Sequence, residues 1–213
     1  ESVQEALSFR VVPQVHGTLR EVLAFAAAAV EMELNSAADN PLVSPDGRMV
    51  HNGNFEPLAM AVAFDALRIA IAHVGQLSER RMSHLWGAIF VSPGCGSAPL
   101  YGLSLRYPAA ARFTELRQLA APATLDAPVL DIGVEDHATG APLSVAQTET
   151  ALGALEDILI VEILLARDLL AVQEKTDRQL GEGTTRLLSE METVFTSLGE
   201  GADAAQVHAA LRE

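Results

Sequence analysis

The 213-residue chain holds a single cysteine, Cys95. One thiol closes no internal disulfide and assembles no thiolate metal site, and it fits a reducing, cytoplasmic compartment. Aromatic residues make up only 5% of the chain, with one tryptophan. Alanine and leucine dominate the apolar half, which favours helices over strands. Basic residues are scarce, 14 Lys and Arg against 28 Asp and Glu, for a net charge of −14. That balance argues against nucleic acid and anionic membrane surfaces as main partners. A basic partner chain could use the charge, but a solvated acidic surface is the plainer reading. The longest uninterrupted apolar run, Val22 to Val30, falls short of the ~20 residues that span a bilayer. The opening ESVQEALSFR lacks a basic stretch followed by an apolar one, so no signal peptide is read there. No repeat, low-complexity tract or linker appears, so the reading is a single lobe over residues 1–213.

Helices fill most of what is present. Residues 1–17, with Pro13 and Gly17, read as a loop leading into a helix from Thr18 to about Asn35, Ala- and Leu-rich with no breaker. Asp39-Asn40-Pro41 ends it, because the residue before proline avoids helical geometry. Asp46-Gly47 between Leu42-Val43 and Met49-Val50 predicts a small hairpin. A second helix is expected from about Glu56 to Phe90. Its first half is apolar nearly all round, the mark of a buried helix. SPGCGSAP at 92–99 is a loop by composition, and a helix from about Tyr101 to Leu119 follows. Residues 120–142 form a long segment with Asp126, Asp131, Glu135 and Asp136, and long unstructured loops are often functional. Leu143 to about Lys175 is another helix with apolar residues on more than one face. Two short helices, about Thr184 to Leu198 and Asp203 to Leu211, close the chain. The expected fold class is all-α, a bundle of long, largely buried helices.

Taken alone, few residues point to chemistry. Glu135-Asp136-His137 sets two acids beside an imidazole, a combination capable of acid–base work, although neighbours in a loop need not face each other. Arg10 among apolar residues can fork onto a substrate carboxylate, pair with a local acid, or stay exposed. Gly53-Asn54-Phe55 ahead of a helix can offer backbone N–H groups to an anion. Asn54 as a plain helix cap is the favoured reading. The histidines show no metal-ligand spacing, and there is no Cys-x-x-Cys. Gly94-Cys95-Gly96 lacks a phosphate-loop context, and no Gly-x-Ser-x-Gly elbow occurs.

The order of several short motifs adds to this. VQEALSFRVVPQVHG at 3–17 resembles Gln-Asp-x-Tyr-Ser-x-Arg-x-x-Pro-Gln-x-x-Gly. ELNSAADNPLV at 33–43 resembles Glu-x-Asn-Ser-x-x-Asp-Asn-Pro-Leu-Val. NGNFEPLAMA at 52–61, LSERRM at 77–82 and VEDH at 134–137 resemble Gly-Gly-Asn-Phe, Ser-Glu-Arg-Arg and Gln-Glu-Asp-His. LGEGTTRLLSEMETVF near the end is similar as well. Five motifs in register resemble the C-terminal half of the histidine/aromatic amino acid ammonia-lyases and aminomutases. These enzymes use a methylideneimidazolone electrophile made from an Ala-Ser-Gly tripeptide.

The resemblance implies that fold and, residue by residue, a site. Arg10 matches the arginine that holds the substrate carboxylate, and Gln4 a glutamine lining the site near the electrophile. Phe55 matches a phenylalanine packed beside the electrophile, and Glu135 a glutamate near the substrate amine in the histidine-type enzymes. The family's catalytic tyrosine falls at Leu7, which can neither donate nor accept a proton. The glutamine before Glu-Asp-His falls at Val134, the segment after Phe55 is about two residues shorter than usual, and SPGCGSAP replaces a Leu-Pro-Pro-Phe-Leu-like loop. The substrate pocket is therefore remodelled. The sequence contains no Ala-Ser-Gly, so the chain makes no such cofactor itself, and the electrophile is expected from a partner chain resembling the N-terminal half. No metal is expected.

Three readings follow from the resemblance. One is a subunit of a split lyase or aminomutase acting on a small histidine- or aromatic-type amino acid. The second is a non-catalytic helical scaffold or regulator. The third is a piece of a full-length lyase. Self-association is expected, because the apolar helices exceed what one lobe covers.

Overall fold

The structure is a computed structural model that describes residues 3–96, 99–125, 127–173, 179–199 and 201–213. Asp126, the Lys175 end of the helix predicted from Leu143 and part of the predicted 92–99 loop lie outside the described residues. Those described form α1 (Leu7–Arg10), α2 (Val12–Leu34), β1 (Leu42–Val43), β2 (Met49–Val50), α3 (Leu58–Phe90), α4 (Tyr101–Leu119), α5 (Ala141–Val172), α6 (Glu182–Leu198) and α7 (Ala204–Arg212). The all-α class expected from the sequence is what the backbone adopts. β1 and β2 pair antiparallel with Leu42 opposite Val50, and Gly47 supplies the positive φ of the turn.

The opening differs from expectation. Residues 1–17 are not all loop, since α1 forms and α2 begins at Val12, taking in Pro13 and Gly17. Pro13 is tolerated because the first-turn N–H groups of a helix have no intrahelical acceptor to lose. Nor is the first half of α3 covered all round. Ala61, Ala63, Leu67, Ala70, Ile71 and Val74 are buried, but Leu58, Val62 and Ile69 form an open stripe. An 18-residue window of α3 is apolar enough to cross a membrane by length and composition. The core helix of a globular unit passes the same test, and here the window includes a buried Asp–Arg pair.

The chain divides into two compact units. The first comprises Glu1–Val11, Gly75–Glu115 and Gly153–Glu213, the second Val12–Val74 and Leu116–Leu152. In the first, Leu164, Met191 and Val207 form a buried cluster with Tyr101, Leu105 and Phe195 against it. Asp168 of α5 is fully buried, and its carboxylate accepts from the backbone N–H groups of Tyr101 at 3.2 Å and Leu103 at 3.0 Å. It thus caps α4 from a neighbouring helix, where a negative charge meets the positive end of the dipole. Burial nevertheless pushes its pKa up. A Cβ on Gly102 would come within 2.6 Å of the Leu164 carbonyl carbon, so only glycine allows α4 to begin this close to α5. Asp157 is also mostly buried. It accepts from Arg112 at 2.6 Å and from Arg212 at 2.8 Å, which fixes α4 and α7 to α5. Asp203 and Gln206 form a reciprocal capping box at the start of α7.

In the second unit Arg68 of α3 has no exposed surface. Its guanidinium donates to the carbonyls of Leu119 (2.7 Å), Ser144 (2.7 Å) and Ala121 (3.1 Å), and to the hydroxyls of Ser144 and Thr148. It also pairs with Asp65 at 2.5 Å. Asp65 in turn accepts from the backbone of Ala123 and Thr124 and from the hydroxyls of Thr124 and Ser144.

Burial alone would push the Asp65 carboxyl up, but the donors from Ser144, Thr124, Ala123 and Arg68 outweigh it and hold the pKa below the ordinary carboxylate value. The folded value lies below the unfolded one of ~3.9. The stabilisation is therefore complete above about pH 4 and is lost as pH falls through the folded value. Urea unfolding followed from about pH 5 down to pH 2 should show stability falling in that window. Asp65→Asn should be less stable at neutral pH and should lack that part of the slope. An identical slope in both proteins would place the acid sensitivity elsewhere.

Candidate functional site

The five residues singled out by the sequence fall in both units. Gln4, Leu7 and Arg10 belong to the first, Phe55 and Glu135 to the second. All five are exposed.

Leu7 and Arg10 are the ends of α1, a single turn whose Ala6 start has no side-chain cap. Leu7 is 62% exposed. Arg10 donates from Nε to the Glu5 carbonyl at 2.9 Å. Among the described residues Arg10 forms no ion pair, so its fork is not spent on a neighbouring acid. The intervening Ser8 is buried, and the Phe9 ring lies 5.6 Å from that of His84.

Phe55 sits in the turn before α3, 48% exposed. With Glu56, Met60, Thr139, Val145 and Glu149 it lines an open cavity of about 730 Å3. Asn54 does not cap α3. That helix starts four residues later at Leu58, and the Asn54 amide instead donates to the Asn52 side chain at 2.8 Å. Residues 53–55 therefore do not offer a helix N-terminus to an anion.

Glu135 leaves a tight turn. Its backbone pairs with Leu130, N–H to carbonyl at 2.8 Å and 3.3 Å, across Asp131–Gly133. Asp131, Ile132 and Gly133 all have positive φ, 47°, 57° and 88°. That is ordinary for glycine and strained for a β-branched residue. Of the Glu135-Asp136-His137 run, His137 approaches Glu56, with Nδ1 3.7 Å from Oε2. That oxygen is buried and has no hydrogen-bond partner among the described residues. The sequence reading missed Glu56, and its place directly after Phe55 is the signal that could have found it.

Among the described residues no group of three or more His, Cys, Asp or Glu side chains could hold a metal. Cys95 is exposed in the loop after α3.

The model of the aromatic amino acid lyase family matches residues 1–193. Histidine ammonia-lyase of Geobacillus thermodenitrificans is 32% identical over 203 residues, 92% of this chain and 40% of that protein. The crystal structure of histidine ammonia-lyase from Trypanosoma cruzi matches with a TM-score of 0.80 at 27% identity, covering 98% of this chain and 41% of its own. The ergothionase of Treponema denticola superposes with a TM-score of 0.84 at 23% identity, over 99% of this chain and 43% of its own, a likeness of fold. The chain thus spans about 40% of the length of the curated relatives it matches.

Ile132 is fully solvated, so replacing it sacrifices no packing. Relieving a positive φ at a β-branched residue should return more than glycine's extra unfolded entropy costs. Ile132→Gly should raise stability by about 1 kcal/mol, read as a later urea midpoint at unchanged slope. An earlier midpoint would show that the turn is not strained.

Proposed function

Starting from a chain that belongs to the aromatic amino acid lyase family, we propose that it supplies the substrate-holding part of an ammonia-lyase-type site. The substrate is a small histidine- or aromatic-type amino acid, or a modified derivative. It loses ammonia or has its amine shifted, and a partner chain bearing Ala-Ser-Gly completes the site. The observation that carries this is Arg10, whose exposed guanidinium pairs with no acid among the described residues of a chain rich in carboxylates. A planar fork of that kind suits a carboxylate.

The other positions take their roles from the family. Phe55, half exposed on an open cavity, offers an apolar face to pack beside the electrophile, and Gln4 takes the place of the family's glutamine near that group. Glu135 is an exposed carboxylate on a constrained turn and serves as the acid–base group beside the substrate amine. Leu7 lines the substrate pocket where the family has tyrosine, so proton removal falls to Glu135 or to the partner. The donors and apolar surface present fit a methylideneimidazolone placed on another polypeptide. When bound, that group supplies the electrophile that activates the amino acid for loss of ammonia as an α,β-unsaturated acid.

The non-catalytic scaffold is favoured by one observation, the loss of the tyrosine at Leu7. Either way the chain assembles with copies of itself or with a homologous N-terminal half. α2 exposes Leu23, Phe25, Met32 and Leu34 and buries only Ala26 and Ala29, more apolar surface than a solitary helix face needs.

Light scattering on the purified chain should give a multiple of its 22.6 kDa; a clean monomer would count against self-association. Co-expression with an Ala-Ser-Gly-bearing N-terminal half should yield ultraviolet-absorbing unsaturated acid from histidine, tyrosine or phenylalanine. Arg10→Ala should then raise KM by roughly 10- to 100-fold, the value of a charge-assisted hydrogen-bond pair. A stable complex that converts none of these amino acids would leave the scaffold reading standing.

A further inference from the structure

The Ser78-Glu79-Arg80-Arg81 motif takes no part in the site proposed above, yet its last residue touches the support of that site. Arg81 lies in α3 with its side chain mostly buried. Nε donates to Glu162 Oε1, and Nη2 donates to Oε2 at 2.9 Å, a bidentate pair. The third nitrogen, Nη1, donates at 3.2 Å to the backbone carbonyl of Ser8, inside α1 and two residues before Arg10. One turn further along α3, His84 meets the ring of Phe9. The same helix therefore grips α1 at two consecutive residues.

α1 needs such a grip. Four residues do not make a stable helix, because nucleation costs more than one turn returns. No side chain caps its start. Among the described residues the buried Ser8 hydroxyl has no hydrogen-bond partner, so that side chain adds no anchor. Glu162 neutralises Arg81 and aims its remaining N–H at the carbonyl. A lysine could not fork onto the carboxylate and reach the carbonyl together.

We propose that Arg81, held by Glu162, is a positioning residue that fixes α1 through the Ser8 carbonyl and so sets where Arg10 presents its guanidinium. The proposal rests on the reading of Arg10 as the carboxylate holder, whereas the tether is testable without it.

The test uses the full chain, free and assembled with the Ala-Ser-Gly half. Arg81→Met alone strands Glu162 in a mostly buried place and can fail to fold, so the informative variant is Arg81→Met with Glu162→Leu, which leaves no unpaired charge. Amide hydrogen exchange over residues 7–11 is read alongside KM and kcat. The double variant should keep cooperative unfolding and exchange about tenfold faster in that segment. Its KM should rise about tenfold with kcat changed far less. Arg10→Ala should raise KM without speeding exchange. Unchanged exchange in the folded double variant overturns the tether. Faster exchange with unmoved KM, in an assembly that turns over, overturns the positioning role. If the wild-type assembly converts nothing, the proposed function fails and the exchange data alone decide whether Arg81 holds α1.

Discussion

A guanidinium with no exposed surface has to find an acceptor for its N–H groups inside the protein, and Arg68 shapes its unit by doing so. Two of its acceptors, the carbonyls of Leu119 and Ala121, lie at and just past the end of α4, where the helix has no donors of its own to offer. Others are on α5, at Ser144 and Thr148. Asp65 balances the charge and takes the amides of Ala123 and Thr124. One ion pair on α3 therefore closes a helix end, fixes the first residues of the loop beyond it and holds the start of α5. That loop goes on to carry the Glu135 turn, and the start of α5 lines the cavity beside Phe55. A hydrophobic pair can replace a buried ion pair at little cost only where the ions serve no other group. Apolar side chains could not have satisfied the backbone groups that Arg68 and Asp65 reach.

The first unit applies the same logic with a carboxylate. Asp168 meets the N-terminal amides of α4, whereas Arg68 meets carbonyls at that helix's far end. Each charge has the sign the helix dipole favours at its end. The two differ in balance. Asp65 has a guanidinium and several donors, which overcome burial and lower its pKa, while the amides on Asp168 do not fully offset burial and its pKa rises. Gly102 belongs to this arrangement, because the approach that lets Asp168 reach the amides also removes the room for a Cβ. Buried charges on the two long helices thus organise the segments around them, which apolar packing alone would leave free to slide.

Much of this was legible in the sequence, for identifiable reasons. Long Ala- and Leu-rich runs with clear stops gave α3, α4 and α5 to within a few residues. Asp46-Gly47 gave the hairpin because positive φ there asks for glycine. The family showed through motif order, which tolerates substitution at single positions. Tertiary pairing was not legible. Asp65 and Arg68 are the only formally charged residues in PLAMAVAFDALRIAIAHV, three apart on one helix face, and that pattern is the available sign of a buried pair. It does not say which loop the pair will hold. The start of α2 was missed because Pro13 and Gly17 are breakers in mid-helix and harmless in a first turn or two. The apolar circumference of α3 was over-read, since composition does not show whether a face is covered by the same chain or by another.

That last ambiguity bears on the site. Gln4, Leu7, Arg10, Phe55 and Glu135 are all exposed. A pocket completed within one chain would bury most of its lining, because pockets of this kind enclose their ligands. On the function proposed above, this chain contributes part of a wall that another polypeptide completes, and such a part stays open. The open stripe of Leu58, Val62 and Ile69, the exposed side chains of α2 and the half-exposed Phe55 are apolar surface of the kind that interfaces use. Arg10 fits this account. A guanidinium meant for an internal acid would already have one, as Arg68, Arg81 and Arg112 do. Among the described residues Arg10 pairs with no acid and donates to a carbonyl five residues back in its own segment, a contact that orients the side chain.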